Sequence, residues 1–141
     1  MGKKPKDPLE IKVNWRYRTI LIVDNVQDNF EILKAALAPT HAKIEYARSG
    51  LEGMRKCIES KRIDVVLLDV DLPDIKALDA ARNLKLIRED VVIIGQSVFL
   101  ATASRSECLA SGMDEFFIKP INPNELIALI RAALIKRDKR V

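Results

Sequence analysis

The chain has 141 residues, 48% of them hydrophobic and 31% charged, with a formal net charge of +4. That length suits one domain around one core and leaves little room for a second independent one. No apolar run approaches the ~20 residues of a membrane span, and the opening MGKKPKDPLE lacks the apolar segment of a secretory signal, so a soluble cytoplasmic protein without membrane partners is expected.

The positive charge lies in the tails. Residues 1–18 hold six basic and two acidic side chains and residues 136–141 four and one, so of 24 bases and 20 acids the stretch 19–135 keeps 14 and 17. The expected organisation is a basic N-terminal extension or linker over 1–18, one folded domain over 19–135 and a basic tail over 136–141. A mildly acidic folded part argues against nucleic acid as the partner, and basic tails commonly solubilise or link. Trp15 and Tyr17 either pin the extension to a sheet edge or to a neighbouring chain, or belong to a mobile tail.

From Thr19 the chain alternates strand-length apolar runs with helical patterns. TILIVD (19–24) is followed by a helix with Phe30, Leu33, Ala36 and Leu37 on one face, closed by Pro39. KIEYA (43–47) precedes a helix that Ser49 can cap and that runs through Met54 and Ile58. DVVLLD (64–69) precedes a helix marked by Leu78, Ala81 and Leu84 to Leu86. VVIIGQ (91–96) leads to a helix over about 101–110 that Gly112 stops. EFFIK (115–119) leads to the last helix, with Leu126, Ile127, Leu129, Ile130, Ala133 and Leu134. This (βα)5 alternation predicts an α/β fold with a parallel, doubly wound five-stranded sheet covered on both faces.

Two cysteines, Cys57 and Cys108, fall far apart in predicted helices beside apolar residues, a pattern of ordinary buried thiols. His41 is the sole histidine and belongs to a loop, so neither a histidine metal cluster nor a Ser-His-Asp arrangement is available. Neither GxxxxGK[ST] nor a GxGxxG after the first strand is present, which argues against nucleotide binding.

Open parallel sheets carry their sites at the carboxyl ends of the strands. Asp24, Asp69, Ser97 and Lys119 all fall at or just past predicted strand ends and are expected to converge. Asp69 closes an apolar run, where a carboxylate is costly unless it is paired. Lys119 is its expected counter-charge and Ser97 a hydroxyl donor, while two facing carboxylates call for a lysine or a cation such as Mg²⁺ between them. Taken singly each has a structural reading: Asp24 or Asp69 could cap the following helix, and Lys119 could be a solvated turn residue.

At these residues the sequence resembles the receiver domain of two-component response regulators and hybrid kinases, over about residues 18–135. ILIVDNVQDNFEIL resembles the family's first strand, acidic turn and first helix, LLDVDLPD its phosphoacceptor segment, and IIGQSVFLATASRSECLASGMDEFFIKPI its fourth strand through the lysine-proline turn. The resemblance implies a flavodoxin-like strand order 2-1-3-4-5. It implies that Asp69 is the phosphoacceptor, that Lys119 and Ser97 engage the phosphoryl oxygens, and that Asp24, Asp69 and the backbone carbonyl of Asp71 hold Mg²⁺. It implies a cis Lys119–Pro120 peptide and a signalling role rather than an enzymatic one. A histidine kinase or a histidine phosphotransfer protein is the implied partner. The implied read-out surface is helix 4, strand 5 and helix 5, including Phe99, Leu100 and Phe116, facing an output domain or a second copy.

Four positions depart from the family pattern. Asn25 stands where a second metal-binding carboxylate is usual, which weakens the expected Mg²⁺ site unless the Asp71 side chain turns inward to compensate. Val98 follows Ser97 where a small residue is common. Phe116 takes the place of a switch aromatic that often carries a hydroxyl, and Ala77 replaces a common Gly. Two functions follow as expectations: a phosphorylatable receiver with a weakened metal site, or a pseudo-receiver that acts as a phosphorylation-independent interaction module.

Overall fold

The computed structural model describes residues 11–98 and 105–139. Five strands, β1 (Thr19–Val23), β2 (Lys43–Ala47), β3 (Ile63–Asp69), β4 (Val92–Ser97) and β5 (Glu115–Ile118), form one sheet in the order β2-β1-β3-β4-β5. Every neighbouring pair is parallel. Helices α1 (Gln27–Leu37), α2 (Gly50–Glu59), α3 (Ala77–Ile87), α4 (Arg105–Ala110) and α5 (Pro123–Asp138) are the crossovers and the closing helix. The expected (βα)5 fold and strand order are both present. Of the predicted fourth helix, 101–104 lie outside the described residues, as do Phe99 and Leu100.

Alternation along the interior strands divides the core in two. Leu21, Val23, Val66, Leu68 and Ile93 point to one face, where Cys57 of α2, Ala81 and Leu84 of α3, and Cys108 of α4 cover them. Ile20, Ile22, Val65, Leu67, Val92 and Ile94 point to the other, under Phe30, Leu33 and Leu37 of α1 and Leu126, Ile130 and Leu134 of α5. Both faces are covered by helices, so the strands read as continuous apolar runs rather than alternating ones. Each such Ile or Leu contributes roughly 1.5–3 kcal/mol on burial.

Local signals close the elements. Ser49 Oγ accepts a hydrogen bond from Glu52 N at the start of α2, as its position predicted. Gly112 follows α4 at φ +105°, a backbone conformation that a β-carbon would strain. Gly95 in β4 leaves space that a β-carbon would need: it would come within 2.6 Å of Met113 Sδ and 3.1 Å of Phe116 Cδ2. Phe116 consequently lies buried against β4.

Packing also reaches N-terminal to β1. Trp15 is buried in the α1/α5 cluster with Ile11 and Val13 beside it, and its backbone N–H donates to Thr40 O at 2.7 Å. Tyr17, two residues on, is 93% exposed. In α3 the helical face is narrower than its apolar content suggested, for Leu86 and Ile87 are exposed while Ala77, Ala80, Ala81 and Leu84 are buried. No described helix is long and apolar enough to cross a membrane.

Candidate functional site

The strand register brings the polar residues together. Val23 pairs with Leu68, Asp69 with Gln96, and Ser97 with Ile118, so Asp24, Asp69, Ser97 and Lys119 end four adjacent strands at the same edge. Lys119 Nζ lies 2.7 Å from Asp24 Oδ2 and 3.4 Å from Asp69 Oδ2. The Lys119–Pro120 peptide is cis, as expected.

Asp24 divides its two oxygens. Oδ2 meets Lys119, whereas Oδ1 accepts from Val26 N at 2.9 Å, tying the turn into α1. The charge-pairing reading of Asp24 holds, whereas the capping reading does not: the N-cap of α1 is Val26, which has no side-chain cap, and Asp24 instead orders the turn before the helix. Its backbone carbonyl accepts from Tyr46 Oη at 2.9 Å, and the Tyr46 ring stacks on Phe30 at 4.0 Å between centroids. Tyr46 was not singled out from the sequence, because a tyrosine on an edge strand reads as ordinary strand composition.

Asp69 is buried, and Oδ1 accepts from Asp71 N at 2.8 Å. Burial raises its carboxyl pKa above the usual value, and the nearby Asp24 charge adds to this. The Asp71 N–H and the Lys119 ammonium oppose the rise, by hydrogen bonding and charge. The result is a carboxylate whose ionised form is under-stabilised, and which gains when a cation or a covalent bond relieves its charge.

Asp71 and Asp74 take roles that spacing did not reveal. The Asp71 side chain turns inward, yet its Oδ2 accepts from Ser97 Oγ at 2.7 Å, and its buried Oδ1 accepts no hydrogen bond among the described residues. Asp74 turns toward α2, where Oδ1 and Oδ2 each accept at 3.0 Å, from Gly50 N and Leu51 N. Those two amides hold its carboxyl below the usual pKa. The β3–α3 loop is thereby tied to β4 by one acid and to α2 by another.

The donors suit a hard divalent cation, with two carboxylates facing one ammonium and oxygen as the only ligand type. The set is smaller than full. Asn25 is a neutral, exposed amide, Asp71 spends one carboxylate oxygen on Ser97, and no group of three or more His, Cys, Asp or Glu side chains converges to hold a metal among the described residues. The carboxylate oxygens of Asp24 and Asp69 are of the ligand type that Mg²⁺ takes. Val98, just past the end of β4, is 49% exposed.

Residues 20–131 match the family model for the response regulator receiver domain. The chain belongs to the response regulator receiver family. Among curated relatives, the response regulator MprA of Mycobacterium ulcerans is 32% identical over 120 residues, covering 85% of this chain and 51% of the relative. MprA of Mycobacterium avium matches at the same identity, over 52% of its length, so the chain spans about half of the curated relatives it matches. A CheY-like receiver structure from Methanospirillum hungatei is 27% identical with a TM-score of 0.78, covering 88% of this chain and 98% of that one. A receiver domain from Clostridium thermocellum shares the fold at a TM-score of 0.80, with 23% identity and coverage of 88% and 99%. Receiver domains are signalling domains of two-component systems rather than classical enzymes; they work with histidine kinases or phosphotransfer proteins and generally use Mg²⁺ at the phosphorylation site.

Proposed function

We propose that this receiver domain accepts a phosphoryl group on Asp69 from a histidine kinase or a histidine phosphotransfer protein, at a site with weakened Mg²⁺ affinity. The observation that carries this reading is the buried Asp24–Lys119–Asp69 arrangement, with one ammonium 2.7 Å and 3.4 Å from two carboxylates at the carboxyl edge of the sheet. A carboxylate oxygen of Asp69 forms the new O–P bond as the P–N bond of the phosphohistidine breaks, and that bond's electron pair leaves with the imidazole ring. The acyl phosphate adds about −1.5 to −2 charges in place of the carboxylate's one. Lys119 offsets that charge, and Ser97 offers a hydroxyl to a phosphoryl oxygen. Asp24, Asp69 and the Asp71 carbonyl would hold Mg²⁺, which would supply further neutralisation of charge on the transferring group.

Phe116 responds in this reading by packing against the region vacated as Ser97 moves, which alters the surface of α4, β5 and α5. That surface would contact an output domain or a second copy. Phe116 now sits beside Gly95 and Met113 in the core, a position from which small shifts of β4 are felt.

The test is intact mass after treatment with acetyl phosphate and Mg²⁺. One added phosphoryl group is expected on the wild type and none on Asp69→Ala; an adduct that survives the substitution would overturn the assignment. Asn25→Asp should tighten Mg²⁺ by restoring a carboxylate, as read by calorimetry, and unchanged affinity would remove Asn25 as the weak point.

A second reading is favoured by the missing carboxylate at Asn25 and the engagement of Asp71 by Ser97. In it the chain is a pseudo-receiver that binds a protein partner without phosphorylation. Its mark is the absence of both an adduct and measurable Mg²⁺ binding in the wild type.

A further inference from the structure

Ser97 carries one hydroxyl proton, and an ionised carboxylate only accepts. That proton is directed to Asp71 Oδ2 at 2.7 Å. The same proton cannot at once bond Asp71 and a phosphoryl oxygen on Asp69. We propose that Asp71 gates the site: its carboxylate holds the Ser97 proton in the unphosphorylated protein and must release it before that hydroxyl can bond a phosphoryl group. The inference rests on the phosphoacceptor reading of Asp69 and assigns to that site a regulatory carboxylate.

The surroundings of Asp71 make the exchange consequential. Its backbone N–H donates to Asp69 Oδ1 at 2.8 Å, so backbone and side chain of one residue touch the acceptor and the switch hydroxyl. An arriving phosphoryl group is a second anion close to Asp71 and competes for the Ser97 hydroxyl that donates to its side chain. Release frees one end of the β3–α3 loop, while the other end stays held by Asp74 on the amides of Gly50 and Leu51. The loop is thus released at β4 and retained at α2, which gives the phosphoryl signal a direction: it loosens the contact between the third and fourth strands' ends rather than the whole loop.

Asp71 is a positioning residue here, since it acts on the phosphoryl group through Ser97. The gate sets a threshold. A hydrogen bond to a charged acceptor is strong enough to hold back binding of a phosphoryl group by about one order of magnitude.

The test uses beryllofluoride as the phosphoryl probe, titrated with saturating Mg²⁺ into the full chain and followed by calorimetry and ¹⁹F NMR. Four proteins are compared: wild type, Asp71→Asn, Ser97→Ala and the double variant. Asp71→Asn is expected to bind ~10-fold tighter than the wild type, and the same substitution on the Ser97→Ala background is expected to gain no more than ~2-fold. Equal affinity of wild type and Asp71→Asn would overturn the gate. So would an equal gain on both backgrounds, which would assign the effect to charge repulsion without the hydroxyl. Urea unfolding of the same four proteins, without probe, should show coupling between positions 71 and 97, and additive effects would also overturn the proposal. Failure of all four and of Asn25→Asp to bind beryllofluoride, with folding intact, would bring down the phosphoacceptor reading itself and the gate with it.

Discussion

The two edges of the sheet each bury charge, and they treat it in opposite ways. At the amino edge, Arg88 follows α3 and its side chain is 7% exposed. Its guanidinium donates to the carbonyls of Cys57, Ser60, Lys61 and Ile63 at 2.8–3.4 Å and pairs with Asp90 at 3.1 Å. At the carboxyl edge, Asp24 and Asp69 share one lysine, and Asp71 keeps an oxygen that accepts no hydrogen bond among the described residues. The arginine is saturated and ties the end of α2 to the start of β3. The carboxylates are held together short of saturation, which is the condition for taking up a cation or a phosphoryl group. Burial of charge alone does not mark a site; incomplete satisfaction of it does.

That contrast can be broken experimentally, and Arg88 should show the largest effect. Arg88→Ala strands four carbonyls and should cost ~3–5 kcal/mol in urea unfolding. A loss under about 1 kcal/mol would mean that the carbonyls are readily hydrated and the edge is not a structural knot. Next comes Lys119→Met, which leaves two buried carboxylates facing each other without a cation. A loss of roughly 2–3 kcal/mol is expected, with part of it recovered when Asp69→Asn is added. Asp69→Asn alone removes a charge that burial disfavours and should be neutral or stabilising by up to ~1 kcal/mol at pH 7, the opposite sign to Arg88→Ala.

Two smaller effects sharpen the comparison at the amino edge. Hydrogen bonding to Arg88 lowers the Asp90 carboxyl below its usual pKa. A depressed folded-state pKa means stability present above the unfolded value and lost as pH falls through the folded one. Asp90→Asn should therefore flatten the acid limb of a stability–pH profile below about pH 4 and change little at pH 7. Smallest is the thiol of Cys57, whose backbone carbonyl receives Arg88 and whose pKa burial pushes up to about 11. Ellman's reagent at pH 8 should leave it unmodified in the folded protein, and rapid modification would show that this edge opens.

The strands were legible because both faces of the sheet are covered, so apolar runs mark them with little ambiguity. KIEYA is β2 residue for residue, and the other four differ by a residue at one or both ends. The convergence of Asp24, Asp69, Ser97 and Lys119 was legible for the same reason, since parallel strands all end their site residues on one edge. The partners of the remaining polar groups were not. Asp71 and Ser97 are 26 positions apart, and the choice between metal and hydroxyl for the Asp71 side chain depends on a rotamer. Asp74 reads as a loop acid until α2 presents its amides. Nothing local to Arg88 says that four carbonyls from 57 to 63 surround it.

By itself the sequence determined the α/β class, the strands, the identity of the edge residues and the neutral amide at Asn25, because these follow from local periodicity and from which side chains exist. Tertiary structure alone decided which acids stay free for chemistry. Charge satisfaction is a property of distance and orientation across strands, and only the folded sheet sets Lys119 between Asp24 and Asp69, Asp74 on α2, and the Ser97 proton on Asp71.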